Sequence, residues 1–379
     1  MYSERKFFGT NGIRGVLGAD LTLEFILEMS QAIGTYFDKG SILIGYDGRL
    51  SSPLISKAVS AGLIASGLDV ALAGLTPTPG LQYSVRNLGY NGGVMITASH
   101  NPPQYNGIKV VGSDGVEIPH DHEARIEKIY LDKAYRRADW RGIGAYRSES
   151  AVIKTYIEGT INKVDRNIVK NRDLKVVLDL GNSVASLAVP YALSSLGCQV
   201  LTINGHIDGN FSGRGPEPTP STLTGLSNNV KSFGADIGVA YDGDGDRAIF
   251  CDEKGIIHWG DVTGTLLVNY LLTKSPGALV VTTVSTSQMV DFVAKKHSSK
   301  VLRTRVGSVE VSRAMIDNDA LLGLEENGGF FYAPQIPVRD GLMTSVLMLE
   351  ALSYQSRPFS EIVEELPKFY QRKIGRAHV

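Results

Sequence analysis

The chain has 379 residues, 43% of them apolar and 20% charged, with a formal net charge of −1. This balance is typical of a multidomain globular protein and argues against nucleic acid as a partner. Its only cysteines, Cys198 and Cys251, form no C-x-x-C pair, so neither a zinc ribbon nor a disulfide framework is expected. No apolar run approaches the roughly 18 residues of a membrane span, and the polar start lacks a signal-peptide core. We therefore expect a cytoplasmic protein without a membrane partner.

Three segments of the chain repeat the pattern of a strand, a helix and a second strand within about 30 residues. Their strand pairs begin at Ile42 and Val70, at Val176 and Gln199, and at Leu279 and Val301. Each unit has the form of a βαβ crossover, which implies parallel strand pairing and a right-handed connection. The sequence thus predicts the α/β fold class, with three related mixed α/β domains at residues 1–150, 151–252 and 253–367.

A serine-containing loop lies between two apolar runs in the first predicted domain. The run 93–96 delivers Ser99 into the segment TASHNPP, where Pro102 and Pro103 prevent a continuous strand ladder. A second strand is predicted at 108–111, so we expect a strand, an exposed tight loop and a strand. His100 and Lys109 lie beside the hydroxyl. The residues alone leave two interpretations open, a reactive oxygen presented to a cleft or an ordinary hairpin.

An aspartate-rich loop follows the apolar run 237–240 in the second predicted domain. Asp242, Asp244 and Asp246 alternate with glycines, which allow the three carboxylates to point inward together. Such a dense set of oxygen ligands suits Mg²⁺ or another hard divalent ion, and the planar fork of Arg247 suits phosphate. Arg247 occupies the position that an EF-hand requires to be glycine, which argues against that loop. An aspartyl-phosphate enzyme with Asp242 as nucleophile remains an alternative.

A third loop, GLEENGG, precedes the aromatic run 330–332 in the third predicted domain. Glu325 and Asn327 offer acceptors and donors for sugar hydroxyls, although this sequence is also suited to a hairpin turn. Neither G-x-G-x-x-G nor a Walker phosphate loop occurs in the chain, so nucleotide binding has no support from sequence motifs.

Taken in order, four segments resemble the α-D-phosphohexomutase family, which includes phosphomannomutase, phosphoglucomutase and phosphoglucosamine mutase. They are FGTNGIRG from Phe8, TASHNPPQYNGIK from Thr97, DGDGDR from Asp242 and EENGG from Glu325. RGPEPTP from Arg214 and RDGLMTS from Arg339 also resemble loops of its archaeal-type members. The resemblance implies related domains around a central cleft. It also implies an isomerase that interconverts 1- and 6-phosphates of glucose, mannose or glucosamine through a phosphoserine and a 1,6-bisphosphate. We expect a monomer or a homodimer.

The resemblance assigns the phosphate chemistry to two of the loops. Ser99 is expected to carry the migrating phosphoryl group, and Ser99, Asp242, Asp244 and Asp246 are expected to hold Mg²⁺. The ion would neutralise the phosphoserine and polarise its phosphorus for in-line transfer. Arg247 is expected to stabilise charge on the equatorial oxygens of the transferred group.

The remaining site residues also follow from the resemblance. His100 or Lys109 is expected near the attacking hydroxyl, as proton acceptor or charge stabiliser, and Arg14 resembles an active-site arginine near the N-terminus. Glu325 and Asn327 resemble the loop that binds sugar hydroxyls. Asp47 and Arg49 resemble a further loop of the first domain, for which a structural and a catalytic role are both open.

The sequence departs from the family pattern in two places. No R-x-S-G-T-type phosphate loop of a fourth domain follows Tyr370, so we expect residues 368–379 to be a truncated linker or an expression scar. This chain is accordingly expected to be weakly active or inactive, and a non-catalytic fragment that binds sugar phosphate or metal is a further alternative. Asn327 and Gly329 also replace the serine and histidine that occur in many bacterial members.

Overall fold

The structure, a computed structural model, describes residues 5–369 and contains three β-sheets flanked by helices. The predicted α/β fold class with three related domains is confirmed. Residues 370–379, which make up most of the predicted linker, lie outside the described residues. Within the described part, no helix is both long and apolar enough to cross a membrane.

The first sheet has six strands in the order β1-β5-β4-β2-β3-β6. Its strands are β1 Ile13–Val16, β2 Ser41–Tyr46, β3 Asp69–Leu75, β4 Gly92–Ile96, β5 Tyr105–Gly112 and β6 Tyr146–Ser148. The accompanying helices are α1 Leu23–Phe37, α2 Ser52–Ala65, α3 Thr78–Asn87 and α4 His120–Leu131. Strands β2 and β3 pair in parallel across α2, as the first βαβ unit predicts, and β4 and β5 form an antiparallel hairpin around the serine loop.

The second sheet has five strands in the order β11-β10-β9-β7-β8. They are β7 Lys175–Asp179, β8 Gln199–Ile203, β9 Ile237–Tyr241, β10 Ala248–Asp252 and β11 Ile257–His258. Its helices are α5 Val152–Ile161, α6 Arg166–Arg172, α7 Val189–Ser195 and α8 Thr224–Phe233, with a 3₁₀ turn at Val184–Leu187. The parallel pair β7–β8 confirms the second βαβ unit. Because β11 pairs with β10, this sheet extends six residues beyond 252, where we predicted the domain boundary.

The third sheet also has five strands, in the order β13-β12-β14-β15-β16. They are β12 Val280–Thr283, β13 Val301–Thr304, β14 Leu322–Leu324, β15 Phe330–Tyr332 and β16 Ile336–Arg339. Its helices are α9 Gly260–Lys274, α10 Met289–Lys296, α11 Ser308–Asp317, α12 Gly341–Gln355 and α13 Phe359–Glu364. Strands β12 and β13 are parallel, which confirms the third βαβ unit.

The three motif loops occupy equivalent positions in the three repeats. Strands β4, β9 and β14 each pair in parallel with the first strand of their unit and then turn back into an antiparallel partner. The serine loop, the aspartate loop and the loop 325–329, which is named the sugar-binding loop for its predicted role, are the connections in these three hairpins. Since the carboxyl ends of parallel strands share one edge of a sheet, each domain offers its loop at the same place.

One continuous apolar core joins the second and third domains. Helix α12 is apolar around its whole circumference and is buried over most of its length, as is typical of a helix enclosed on all sides. Tyr83 and Val116 of the first domain also belong to this core. The hydroxyl of Tyr156 in α5 donates to Asp340, the N-cap of α12, at 2.5 Å. This shared packing holds the aspartate loop and the sugar-binding loop in a fixed relation.

Candidate active site

A cleft of about 550 Å³ lies where the three loops meet. Its walls come from all three domains, and its lining includes the site residues Arg14, His100, Arg247, Glu325, Asn327 and Arg339. The structure therefore brings the predicted site residues of four separate segments together. Ser99, Lys109 and the three aspartates are buried directly behind this lining.

Ser99 is buried, whereas the sequence predicted an exposed loop. Its Oγ donates a hydrogen bond to Asp242 Oδ2 at 2.8 Å and lies 3.4 Å from His100 Nδ1. The aspartate loop covers it so closely that a Cβ on Gly243 would come within 2.4 Å of the Ser99 carbonyl oxygen. Ser99 also has a φ of +50°, a left-handed conformation that costs free energy and persists only where neighbouring contacts enforce it. These contacts direct the hydroxyl toward the aspartates.

Arg49 binds the backbone of the serine loop at four points. Its buried guanidinium donates to the carbonyl oxygens of Ser99, Asn101, Pro102 and Tyr105 at 2.7 to 2.9 Å. Its Nε forms an ion pair with Asp47 at 2.9 Å. Of the two roles left open for Arg49, these contacts favour the structural one.

We expect Arg49→Met to lower the free energy of unfolding of the first domain by about 3–5 kcal/mol, because it leaves a buried carboxylate unpaired. The four carbonyl oxygens of the serine loop would also lose the hydrogen bonds from this guanidinium. Urea titration followed by amide hydrogen exchange at 97–105 measures the effect. Arg147→Met is the control, since this exposed arginine pairs with Glu149 at the surface and should contribute under about 1 kcal/mol. A loss for Arg49→Met as small as the control's would contradict the assignment.

The three aspartates form a group in which one carboxylate oxygen from each lies within 4.8 Å of the other two. Asp242 accepts from Ser99 Oγ, and Asp244 accepts from Thr78 Oγ1 at 2.6 Å and from Lys109 Nζ at 3.0 Å. Asp244 Oδ1 and Asp246 Oδ1 are buried and have no hydrogen-bond partner among residues 5–369. Orphaned carboxylate oxygens in a buried all-oxygen cluster fit a hard divalent cation, so the donor set agrees with the metal site that the sequence predicted.

The aspartates differ in how their charges are compensated. Burial, together with the neighbouring carboxylates of Asp246 and Asp244, raises the pKa of Asp242 well above its usual range. Burial also acts to raise the pKa of Asp244, but the ammonium of Lys109 and the Thr78 hydroxyl outweigh it and the pKa is lowered. Three cationic side chains, Lys109, Arg247 and Arg339, lie against the cluster. The cluster thus has carboxylate oxygens that could bind a cation, and three positively charged side chains already lie beside it.

His100 lies between the serine and the cleft. Its Nδ1 is 2.8 Å from Arg247 Nη2, and because a guanidinium only donates, Nδ1 accepts this bond and the ring proton belongs on Nε2. Burial, with added repulsion from Arg247 and Arg14, lowers the pKa of His100 to about 3. The imidazole is therefore neutral at pH 7. Arg14, which contributes to this repulsion, donates to Asn101 Oδ1 of the serine loop at 2.6 Å.

The sugar-binding loop is a tight turn closed by its own backbone. Glu325 N–H donates to the Gly329 carbonyl oxygen at 2.8 Å, and Asn327 Oδ1 accepts from Gly329 N–H at 3.2 Å. Arg339 donates to Glu325 Oε2 at 3.3 Å and to Asp246 Oδ2 at 2.5 Å. Reasoning from the sequence missed Arg339 and Thr78 as site residues. The segment RDGLMTS resembles a loop of the family, but it does not by itself indicate a role for Arg339. Thr78 gives no signal in the sequence because it lies 166 positions from Asp244, which it contacts.

Comparison with known families places these features in context. Residues 5–137, 154–255 and 259–370 match the models for phosphoglucomutase/phosphomannomutase alpha/beta/alpha domains I, II and III, respectively. Together the three matches cover most of the chain. The chain belongs to the phosphoglucomutase/phosphomannomutase family. The predicted membership of the α-D-phosphohexomutases is thereby confirmed.

Similar proteins of this family are found among archaea. A phosphoglucosamine/phosphogalactosamine mutase of Sulfurisphaera tokodaii is 45% identical over 96% of this chain and 81% of its own length. A phosphoglucomutase/phosphomannomutase of Thermococcus kodakarensis is 41% identical over 98% of this chain and 82% of its own length. The crystal structure of a phosphoglucomutase/phosphomannomutase family protein from Burkholderia thailandensis matches with a TM-score of 0.87 and 29% identity. That match covers 96% of this chain and 80% of the crystallised one.

Proposed function

We propose that this protein interconverts hexose 1-phosphates and hexose 6-phosphates through a phosphoserine at Ser99 and a hexose 1,6-bisphosphate. The observation that carries this proposal is the hydrogen bond from Ser99 Oγ to Asp242, immediately behind a cleft lined by Arg14, His100 and Arg247. Arginine forks and a hydroxyl held at a carboxylate cluster suit the transfer of a phosphoryl group. The family match favours this function over an aspartyl-phosphate enzyme or a non-catalytic binder.

Asp242, Asp244 and Asp246, with an oxygen on Ser99, would hold the metal ion, which we propose is Mg²⁺. The all-oxygen donor set favours Mg²⁺ over zinc, which prefers histidine and cysteine ligands. When bound, this ion supplies Lewis-acid polarisation of the phosphoryl oxygens. Thr78 and Lys109 each bind Asp244 at Oδ2 and so leave Oδ1 as the ligand atom.

The other residues of the site have separate proposed roles in binding the phosphoryl group and the sugar. Arg247 and Arg14 line the cleft and would bind the equatorial phosphoryl oxygens. His100 also lines the cleft, whereas Lys109 is buried beneath it and ion-paired with Asp244. Because Nδ1 of His100 already accepts from Arg247 and Nε2 carries the ring proton, we assign hydrogen-bond donation to the bound sugar phosphate to His100 and charge stabilisation to Lys109. Glu325 and Asn327, on the facing loop, would bind the hydroxyls of the hexose.

The test uses purified protein, hexose 1,6-bisphosphate and Mg²⁺. We expect the intact mass to increase by one phosphoryl group, peptide mapping to place an acid-stable phosphate on Ser99, and coupled assays to detect conversion of at least one of glucose, mannose and glucosamine 1-phosphates. An alkali-labile acyl phosphate on Asp242 would instead support the aspartyl-phosphate mechanism. Sugar-phosphate binding without any phosphorylated protein would support a non-catalytic role.

A further inference from the structure

Arg339 links two loops that belong to different domains. One side of its guanidinium donates to Asp246 of the aspartate loop, and the other donates to Glu325 of the sugar-binding loop. All three side chains are buried, and Arg339 also lines the cleft. Each carboxylate contributes only Oδ2 or Oε2 to this arrangement. Asp246 Oδ1 consequently accepts no hydrogen bond from the part of the chain that the structure describes, and it is available to a cation.

The backbone holds the base of this side chain rigidly. Arg339 is the last residue of β16, where it pairs with Phe331 of the neighbouring strand. The next residue, Asp340, caps helix α12 by accepting from Met343 N–H at 2.9 Å. A strand end followed directly by a helix cap leaves the Arg339 backbone little freedom, so its guanidinium is well placed to fix a distance.

The path of the Arg339 side chain depends on Gly329. A Cβ on Gly329 would lie 2.6 Å from Arg339 Cδ and 3.0 Å from its Cγ. These atoms lie midway along the buried Arg339 side chain. Any side chain at position 329 would therefore push them aside and move the guanidinium that they carry. Arg339 can thus adopt this conformation only because residue 329 is glycine.

We propose that Arg339 is a positioning residue that sets the spacing between the metal-binding aspartates and the sugar-binding loop. This inference rests on the function proposed above. With Arg339 in place, Asp246 and Glu325 both bind its guanidinium, and they lie on opposite sides of it. Without it, the two carboxylates would repel one another, and the sugar would be presented to the phosphoryl group at the wrong distance.

The first test compares Arg339→Met with Arg339→Lys. Methionine removes the charge, and we expect kcat/KM for a hexose 1-phosphate to fall about 100-fold, the usual cost of a small misplacement. Mn²⁺, used alone as the metal probe, should bind Arg339→Met about tenfold more tightly, because a positive charge beside Asp246 has been removed. Lysine keeps the charge but cannot span both loops, so Mn²⁺ affinity should stay near normal while kcat/KM remains low. A residue needed only for folding would not strengthen metal binding.

Arg303→Met is the matched control. This partly buried arginine of the third domain binds Asp291 and the Thr283 and Thr286 carbonyl oxygens away from the cleft. We expect its kcat/KM and Mn²⁺ affinity to match those of the unmodified protein.

The second test is a double-mutant cycle with Gly329→Ala. Alone, this substitution should lower kcat/KM by at least about tenfold, because it displaces Arg339. In an Arg339→Ala background it should change kcat/KM less than about twofold. Normal kcat/KM in Arg339→Met, or independent effects of the two substitutions, would overturn the inference. Absence of phosphate on Ser99 in the unmodified protein after incubation with hexose 1,6-bisphosphate would refute the proposed function, whereas unchanged Mn²⁺ affinity in Arg339→Met would refute the role of Arg339.

Discussion

Ser99→Ala is expected to abolish phosphorylation by hexose 1,6-bisphosphate and to lower turnover by on the order of 10⁴-fold or more, because it removes the attacking oxygen. The substitution also deletes the hydrogen bond from Ser99 Oγ to Asp242, which joins the serine loop to the aspartate loop. The three aspartates remain in this variant, so it should still bind the metal ion, but more weakly, because the oxygen of Ser99 is missing. Turnover and intact mass after incubation with the bisphosphate are the two measurements.

Ser60→Ala provides the control for this substitution. Ser60 is a buried serine of α2 in the same domain, and its Oγ donates to the Ser56 carbonyl oxygen, remote from the cleft. We expect its turnover to be within about twofold of normal, since such a hydrogen bond contributes little net stability. Normal turnover in Ser99→Ala would rule out the carrier role, and phosphorylation of that variant at another residue would show where the carrier is.

Much of the fold follows from local signals in the sequence. The three βαβ units were predictable because each strand is a short apolar run and each helix is followed by turn residues. Gly67 and Gly197, for example, adopt the left-handed conformation just after α2 and α7. The small strand β11 was not predictable, because two residues carry no periodic pattern. Only its pairing with β10 assigns it to the second sheet.

The site was predictable where one loop carries its own chemistry and not where partners come from distant segments. Three aspartates in five residues indicate a cation site by their mutual repulsion alone. Thr78, Arg49 and Arg339 gave no such signal, because their roles depend on tertiary contacts with Asp244, the serine loop and Asp246. The burial of Ser99 has the same origin, since the covering aspartate loop belongs to another domain.

Removal of the divalent metal should stop phosphoryl transfer and expose a linkage between metal and phosphate. Three cationic side chains lie against the three carboxylates in the unphosphorylated site, so part of the carboxylate charge is already compensated there. A phosphoserine adds about −1.5 to −2 charges, which a divalent cation would neutralise. We therefore expect the phosphorylated protein to bind Mg²⁺ roughly 10- to 100-fold more tightly than the unphosphorylated protein, a typical coupling between two ligands.

Calorimetric titration of both forms with Mg²⁺ measures this linkage, and chelation should lower turnover at least about 10³-fold until Mg²⁺ is restored. Asp244→Asn should weaken Mg²⁺ binding in both forms, because it removes charge from the residue whose Oδ1 is free for the ion. Asp132→Asn, at an exposed ion pair with Lys128, should leave binding unchanged. Equal Mg²⁺ affinity in the two forms would contradict this linkage, because the charge of the phosphoserine would then have no bearing on when the metal binds.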